Sequence, residues 1–452
     1  MQDSPNLLIL YGHHHGVTAS HIASALGSMA SVMCAGPGMA EDETHMPCDV
    51  SESVLTILRA LRGRFSPDAV LVIESGEKFF PMDLEKLEIP CFYYSIDAHF
   101  NLTWQSEYAK LFDALFVTFR QYAATFRNTG HPAVYWLPHG YNDAHYHDFN
   151  APERDIDIAF VGDMDPNRRP ERMAMLQALQ DAGLKTVFTR GIWNEEVGKV
   201  YSRAKLAFND NDHKVLNPRN FEAAACGAVV LSNDAESLSE FFVDGQNILL
   251  HQNAPQMLDH AQTLLADPDR WRQLSEAGKA NAGLHTWKHR SIVLLDLIAP
   301  FLRQKRRHFP HQEIIKASAF VYQNRGLPGR AVQMLNELQK QYPHDVELTL
   351  QKALVYLSNN FHQQAAEVLM ELFELNPPPP GPFFQQIASA LINAFHLANH
   401  AEGAVRAAMA IPNLSAEQRA ILAQTAARHT GEIPDAARAK LCLPPAAKQQ
   451  AR

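Results

Sequence analysis

The chain has 452 residues, of which 46% are hydrophobic and 20% are charged. This composition is ordinary for globular protein and allows roughly two to four domains. The net charge of −9 at pH 7 gives no overall electrostatic support for a nucleic-acid partner. We interpret the one basic cluster, Arg303 to His308, as a helix end and a linker rather than a binding patch.

Cysteine usage and hydropathy indicate the compartment. The five cysteines are scattered and never stand in a Cys-x-x-Cys spacing, so we expect reduced thiols and neither a zinc centre nor a disulfide framework. The first residues lack the positive leader and long apolar core of a signal peptide. No apolar run approaches the roughly 18 residues of a spanning helix. The sequence therefore predicts a cytoplasmic protein, with peripheral attachment to the inner membrane face left open.

Short apolar runs alternate with helical patterns in the first third of the chain. The candidate strands are Leu7 to Tyr11, Ala69 to Ile73, Cys91 to Ser95, Ala114 to Thr118 and Ala133 to Leu137. Such alternation is typical of βαβ units, so we predict a parallel-sheet, Rossmann-like domain at residues 1–150. A polar connector follows, and the run Ile156 to Gly162 opens a second such domain at residues 151–305.

Residues 306–452 carry an internal repeat. Tyr322, Gly326, Ala331 and Pro343 recur 34 positions later as Tyr356, Asn360, Ala365 and Pro377. Phe395, Asn399 and Ala404 continue the pattern, and Gly431 and Ala436 suggest a fourth, degenerate unit. The period is that of tetratricopeptide repeats, which normally bind polypeptide or build assemblies. A nonrepetitive helical bundle is the alternative.

The segment from Asn217 to Ser232 indicates a helix that faces an anion and then leads into a buried strand. Asn217 can cap the helix, Pro218 suits its first turn and Gly227 suits the left-handed turn that ends it. Arg219 and Glu222 are three positions apart, so they lie on one face near the helix start, where phosphate is favoured. The alternative is a surface ion pair between these two side chains.

Three loops follow predicted strands and are candidates for chemistry. Arg168 and Arg169, after the strand at Ile156, can meet phosphates at a cleft, or they are solvated surface. Asp97 and His99 lie just past the strand Cys91 to Ser95, where a general base or a structural histidine would stand. The loop Gly12-His13-His14-His15 favours packing or substrate contact over zinc. The run Asn209 to His213 reads as a polar turn rather than a cation site.

Residues 156–290 resemble the donor-binding half of GT-B glycosyltransferases, in particular the CgeB-like and family-4-like enzymes. The resemblance rests on Arg219, the run Phe221 to Gly227, the turn Asp244-Gly245 and the terminal run His285 to Arg290. The segment Asp97 to His99 resembles the Asp-x-His segment of CgeB-like amino-terminal domains. One departure is that family-4 enzymes usually carry a second Glu seven residues before the helix Glu, and Val215 stands there.

The resemblance implies two Rossmann-like domains facing a cleft, the GT-B fold, and transfer of a sugar from a nucleotide sugar of the UDP or GDP type. Arg168, Arg169, Arg219, Asn220 and Glu222 would bind the donor, with Glu222 on the ribose. His99 would bond a donor or acceptor hydroxyl, and Asp97 would orient it or act as the general base. The Gly12 to His15 loop would face the acceptor. Neither a metal nor a cofactor is expected.

The predicted protein is thus a metal-independent glycosyltransferase whose repeats recruit a protein or surface-glycan acceptor, or form homo-oligomers. A nucleotide-sugar epimerase of the same fold and a non-catalytic scaffold stay open as alternatives. Sequence alone leaves the sugar, the nucleotide, the acceptor and the stereochemical course undetermined.

Overall fold

The computed structural model of the chain describes residues 4–50, 52–75, 79–303, 309–373, 381–409 and 414–428, with Ile411, Arg438 and Leu441. It divides into two compact units, residues 1–308 and 309–452. The first unit carries two parallel sheets, and the described part of the second is helical. The predicted fold class, two parallel-sheet α/β domains followed by an all-helical domain, is confirmed. The basic residues 304–308, Pro377, Gly431, Ala436 and Cys442 lie outside the described residues.

The first domain is a parallel sheet of seven strands. They are β1 (Asn6–Leu10), β2 (Ser31–Gly36), β3 (His45–Pro47), β4 (Ala69–Ile73), β5 (Cys91–Ser95), β6 (Ala114–Val117) and β7 (Val134–Trp136). The spatial order is β3-β2-β1-β4-β5-β6-β7, so the strand order reverses between β1 and β4. The central strands are continuous apolar runs because both faces of the sheet are covered.

Four helices connect these strands: α1 (Thr18–Gly27), α2 (Val54–Ala60), α3 (Ala98–Tyr108) and α4 (Arg120–Asn128). Two 3-10 turns, Leu84–Lys86 and Ala109–Leu111, complete the connections. Each of the five candidate strands of this domain is present, and each of their ends lies within one residue of the predicted position. β2 and β3 were not recognised in the sequence.

The second domain is a parallel sheet of five strands in the order β12-β11-β10-β8-β9. The strands are β8 (Ile156–Val161), β9 (Thr186–Thr189), β10 (Ala204–Asn209), β11 (Val229–Ser232) and β12 (Leu249–Leu250). The helices are α5 (Pro170–Asp181), α6 (Glu195–Arg203), α7 (Arg219–Ala225), α8 (Ala254–Ala266) and α9 (Pro268–Ala282), with 3-10 turns at Asp212–Lys214 and Leu238–Glu240. Gly227 takes the predicted left-handed turn after α7, at φ 80°, and leads into the fully buried β11.

The last helix of the unit, α10 (Trp287–Ile298), returns to the first domain. Trp287, Leu294 and Ile298 are at most 3% exposed and belong to the same core as β1, β4 and β5. The chain enters this helix through a short parallel bridge between Tyr141 and Thr286. This helix therefore completes the core of the first domain.

The described part of the second unit is an array of helices. They are α11 (His311–Asn324), α12 (Pro328–Gln341), α13 (Val346–Ser358), α14 (His362–Phe373), α15 (Gly381–Leu397), α16 (Ala401–Met409) and α17 (Ala416–Arg428). Three recurring positions of the repeat, Gly326, Asn360 and Asn399, lie in turns between helices and all have left-handed backbone, with φ of 72°, 65° and 59°.

The same hydrogen bond closes each of these turns. The residue after the turn donates its N–H to the carbonyl oxygen five residues back, on Tyr322, Tyr356 and Phe395, at 2.8–2.9 Å. Ala331, Ala365 and Ala404 are all 0% exposed at the neighbouring helix contact. The 34-residue sequence period thus corresponds to a structural period of helix pairs.

Within the described ranges, no helix is long and apolar enough to cross a membrane.

Candidate functional site

The strand order of the second sheet identifies where a ligand would bind. β8 and β10 are neighbours whose connections leave in opposite directions, so a crevice opens at their carboxyl ends. Asp163 follows β8 by one residue beyond Gly162, and Asp210 follows β10 directly. The predicted donor-side residues lie in the segments that begin there.

Two arginines lie against one aromatic ring at this crevice. The Cζ atoms of Arg172 and Arg219 are 5.5 and 5.6 Å from the centroid of the Phe160 ring, at the end of β8. Arg172 is 3% exposed, forms an ion pair with Asp210 at 3.0 Å and donates to the carbonyl oxygen of Asp163 at 3.0 Å. Burial, with the neighbouring Arg219 charge, lowers the pKa of Arg172. The charge of Arg172 is therefore balanced by Asp210, and this arginine has a structural role.

Arg219 differs from Arg172 in how its side chain is paired. Among the described residues its guanidinium forms no ion pair, and Nη1 is buried without a hydrogen-bond acceptor. A Cβ atom at Gly162 would lie 3.4 Å from this Nη1 and 2.9 Å from the Phe160 ring, so glycine keeps the space open. A buried donor without an acceptor is costly, which makes this guanidinium a ready site for an anion.

The loop arginines predicted to meet phosphates are paired within the protein. Arg168, whose side chain is 68% exposed, forms ion pairs with Asp163 at 3.2 Å and Asp165 at 3.1 Å. Arg169 pairs with Asp163 at 3.6 Å and also with Asp212. The surface alternative fits Arg168, and Arg169 lies at the edge of the crevice with its charge balanced.

A network of buried amides holds α7 against the end of β10. The side chain of Asn209 donates to Asn220 Oδ1 at 2.9 Å, and Asn220 donates to Asn211 Oδ1 at 2.9 Å. Asn217 Oδ1 accepts the N–H of Arg219 at 3.1 Å, which is the predicted capping role. Asn220, predicted to bind the donor, is 0% exposed, so its amide fixes the helix and does not face a ligand.

Glu222 lies one turn along α7 and is partly exposed. It forms no ion pair with Arg219 among the described contacts, so the surface-pair alternative is not what the structure has. Tyr146 lies beside Glu222 and contributes to lowering the pKa of its carboxyl group, and the Tyr146 hydroxyl also interacts with the backbone of Asn194. Burial raises the pKa of Glu222 to about 7, against the lowering effect of Arg219. Val215, at the position where family-4 enzymes usually carry a second Glu, is buried.

The first domain brings His99 to the same crevice. Its ring lies 5.8 Å from the ring of His213, which belongs to the second domain, and 3.9 Å from that of Phe100. Burial, followed by His213 and Arg169, lowers the pKa of His99 to about 4. Asp97 is two residues away, and burial raises its pKa. The lowered pKa means that His99 is an uncharged ring at neutral pH and a weaker base than a free imidazole.

The loop from Gly12 to His15 also faces the second domain. The ring of His15 lies 6.0 Å from that of Trp193, which follows β9. Burial, together with the neighbouring histidines, lowers the pKa of His13. The ring nitrogen Nε2 of His14 is 3.0 Å from the carbonyl oxygen of Ser75. No group of three potential metal ligands occurs within the described part of the chain.

Four residues in or next to the crevice were not recognised from the sequence: Phe160, Arg172, Tyr146 and Glu74. Glu74 is a buried acid whose side chain accepts the N–H groups of Ile96 and Asp97. Phe160 and Arg172 sit in patterns that read as an ordinary strand and helix, and the role of Tyr146 depends on packing far along the chain. Glu74 had a usable signal, since it is an acid directly after a strand that was recognised.

The fold and site together define a two-domain α/β protein in which the crevice of the second domain holds the Arg219 guanidinium, and His99 of the first domain lies against His213. Residues 150–296 match a family model described as "Glycosyl transferase-like", a range that contains the whole donor-side crevice. The curated proteins gave no match.

Several solved structures are similar to this chain at low identity. Sucrose-phosphate synthase from Thermosynechococcus elongatus is 15% identical, with a TM-score of 0.49, over 66% of this chain and 98% of the other. Anabaena HepE, solved in complex with UDP-glucose, is 12% identical, with a TM-score of 0.47, over 66% of this chain and 100% of the other. A glycosyltransferase from Rickettsia africae is 10% identical, with a TM-score of 0.47, over 67% and 100%.

Proposed function

We propose that the protein is a glycosyltransferase that moves a sugar from a nucleoside diphosphate sugar to an acceptor hydroxyl. The observation that carries the proposal is the unpaired guanidinium of Arg219, stacked on Phe160 at the strand-order reversal of the second sheet. The "Glycosyl transferase-like" match over the same residues supports it. A diphosphate supplies the acceptor oxygens that Nη1 lacks.

The donor would bind mainly to the second domain. Arg219 would hold the diphosphate, with Arg169 at the edge of the crevice and Arg172 fixing the Phe160 ring from the protein side. Glu222 would accept hydrogen bonds from the ribose hydroxyls while Tyr146 orients its carboxyl group. Because the pKa of Glu222 is raised to about 7, its affinity for hydroxyl donors should increase as it ionises.

Transfer requires one proton acceptor and one stabilised leaving group. The acceptor hydroxyl gives its proton to His99 or Asp97 as its oxygen bonds to the sugar C1 atom. The bond from C1 to the phosphate oxygen breaks, and the nucleoside diphosphate leaves with the electron pair. Arg219 would stabilise the negative charge that develops on the diphosphate, so we propose that the reaction needs no metal ion.

We propose that the helical unit consists of tetratricopeptide-like repeats that recruit the acceptor, a protein or a surface glycan, or that join copies of the chain. A groove of about 640 Å³ runs along α13, α15 and α17 and supports this proposal. It has apolar side chains, Leu350, Leu354 and Ile421, beside the amides of Gln386 and Asn393. Such a mixed, nearly uncharged surface suits a polypeptide, whose backbone can hydrogen-bond to the amides.

We propose that the reaction takes place in the cytoplasm.

The deciding experiment is a screen of the full chain with UDP-glucose, UDP-N-acetylglucosamine, GDP-mannose and ADP-glucose. Binding should raise the melting temperature, and slow release of the nucleoside diphosphate should follow for the true donor. Sugar interconversion without transfer would favour the epimerase alternative. No stabilisation by any nucleotide at millimolar concentration would contradict the proposal and leave the scaffold alternative.

A further inference from the structure

Glu74 is a buried carboxyl group directly after β4, at the strand-order reversal of the first sheet. It is 8% exposed. Its Oε2 accepts the backbone N–H groups of Ile96 and Asp97, both at 2.8 Å, and its Oε1 accepts the side-chain amide of Asn101 at 2.6 Å. Ile96 and Asp97 join β5 to α3, and Asn101 lies in the first turn of α3, the turn that also carries His99.

Ser75, the next residue, makes the corresponding contacts to the other first-domain loop. It is 4% exposed. Its Oγ accepts the N–H of Gly12 at 2.9 Å, and its carbonyl oxygen is 3.0 Å from Nε2 of His14. One dipeptide therefore contacts both segments that carry the candidate acceptor-side residues.

We propose that Glu74 and Ser75 are positioning residues, which hold the Asp97–His99 segment and the Gly12–His15 loop in register at the acceptor side of the crevice. The proposal rests on the function proposed above. Neither residue needs to touch substrate, since each acts through backbone groups of the loops that do.

The chemistry favours this role over general stability. A carboxylate that accepts two consecutive backbone N–H groups fixes the direction of both peptide units, as at a helix cap. Gln at position 74 would fill the same volume, but it offers one acceptor oxygen for three donors. The loop should therefore loosen while the strands stay intact.

The chain offers a matched control at the opposite end of β5. Asp113 is also 8% exposed, and its Oδ2 accepts the N–H of Cys91 at 2.8 Å, where β5 begins. Glu74→Gln and Asp113→Asn therefore make the same chemical change at the two ends of one strand. Ser75→Ala removes the hydroxyl acceptor, and Ser75→Thr restores it.

The first measurement is amide hydrogen exchange in the full-length, ligand-free chain. Glu74→Gln should speed exchange at residues 96–97 by about tenfold or more, and Asp113→Asn should not. Ser75→Ala should do the same at Gly12, with Ser75→Thr close to the wild type. Unchanged exchange at these amides would overturn the positioning role, whatever the donor screen shows.

The second measurement is UDP-glucose hydrolysis at saturating donor, with UDP affinity from calorimetry. Glu74→Gln should lower turnover by about tenfold and leave UDP affinity within about twofold, since the donor contacts lie in the other domain. Faster exchange with unchanged turnover would show that these loops lie outside the reaction site and overturn the proposal. A wild-type chain that neither binds UDP nor hydrolyses any donor contradicts the proposed function, and the exchange result then decides the positioning by itself.

Discussion

Replacing Arg219 by Ala tests the unpaired guanidinium directly. The structure gives it no ion pair within the described residues, only the stack on Phe160 and a buried Nη1 without an acceptor. In the donor complex that nitrogen would gain a charge-assisted hydrogen bond to phosphate. Such bonds contribute about 1.5–3 kcal/mol, so UDP affinity should fall by roughly 10- to 150-fold.

The stability of the protein should change little in this variant. The stack on Phe160 contributes about 0.5–2 kcal/mol, and removal of the unsatisfied Nη1 offsets part of it. We expect the free energy of unfolding to move by no more than about 1 kcal/mol. Isothermal titration with UDP and urea unfolding measure the two quantities on one preparation.

Two neighbouring arginines serve as controls with opposite expectations. Arg168→Ala should leave UDP affinity within about threefold, since this side chain is largely exposed and paired with Asp163 and Asp165. Arg172→Ala should lower the free energy of unfolding by about 3 kcal/mol because it leaves the Asp210 carboxylate without its ion-pair partner. Equal losses of affinity in the Arg168 and Arg219 variants, or none in the latter, would refute the assignment of the anion site.

The remaining predictions concern an acid, a histidine, metal ions and the helical unit. Glu222→Gln should lower donor affinity about tenfold, and wild-type affinity should rise from pH 6 to pH 8 as the raised pKa near 7 is passed; titration data with no such pH dependence would return Glu222 to a structural role. Burial lowers the pKa of His139 to about 3 from 6.5, so the unfolded state binds the proton more readily and stability is lost as pH falls below about 6.5. Between pH 7.5 and 5 the wild type should lose about 2 kcal/mol more than His139→Phe in urea unfolding. Burial raises the pKa of Glu74 and of Glu222 to about 7, which acts in the opposite direction, and these contributions cancel in the difference between the two proteins. EDTA should leave nucleotide-sugar turnover unchanged, whereas restoration of activity only by added divalent ions would contradict charge stabilisation by arginine. The fragment 1–309 should fold and bind donor but lose transfer to the natural acceptor or lose oligomerisation; light scattering separates these outcomes, and full transfer by a fragment of unchanged oligomeric state would exclude both roles for the repeats.

The buried elements were the predictable part of this protein. β4 and β5 were predicted at their observed bounds, because strands covered on both faces must be continuous apolar runs. β2 was missed since its centre, Met-Cys-Ala-Gly, has no period and few β-branched residues. In the helical unit, Gly326 and Asn360 could be matched because a left-handed turn tolerates few residue types.

The candidate site was harder to predict because pairing decides which charges are available. Arg168, Arg169 and Arg219 look equivalent as sequence, and only the positions of Asp163, Asp165 and Asp212 show that Arg219 alone of the three keeps an unpaired charge in the described structure. Asn220 looked like a ligand for the donor since it is polar and adjacent to Arg219. It is interior because the buried network around Asn209 supplies its partners.

The return of α10 makes the first domain discontinuous in the chain. Its core lacks Leu294, Ile298 and Phe301 until the segment after the second sheet has been made, so during synthesis this domain can be completed only after the five-stranded sheet that follows it in the chain. The five-stranded sheet, which is continuous in sequence, can fold while β1 to β7 wait with an uncovered apolar face. A chain interrupted before Trp287 would leave that face exposed, and it should aggregate or be degraded rather than accumulate as a free domain.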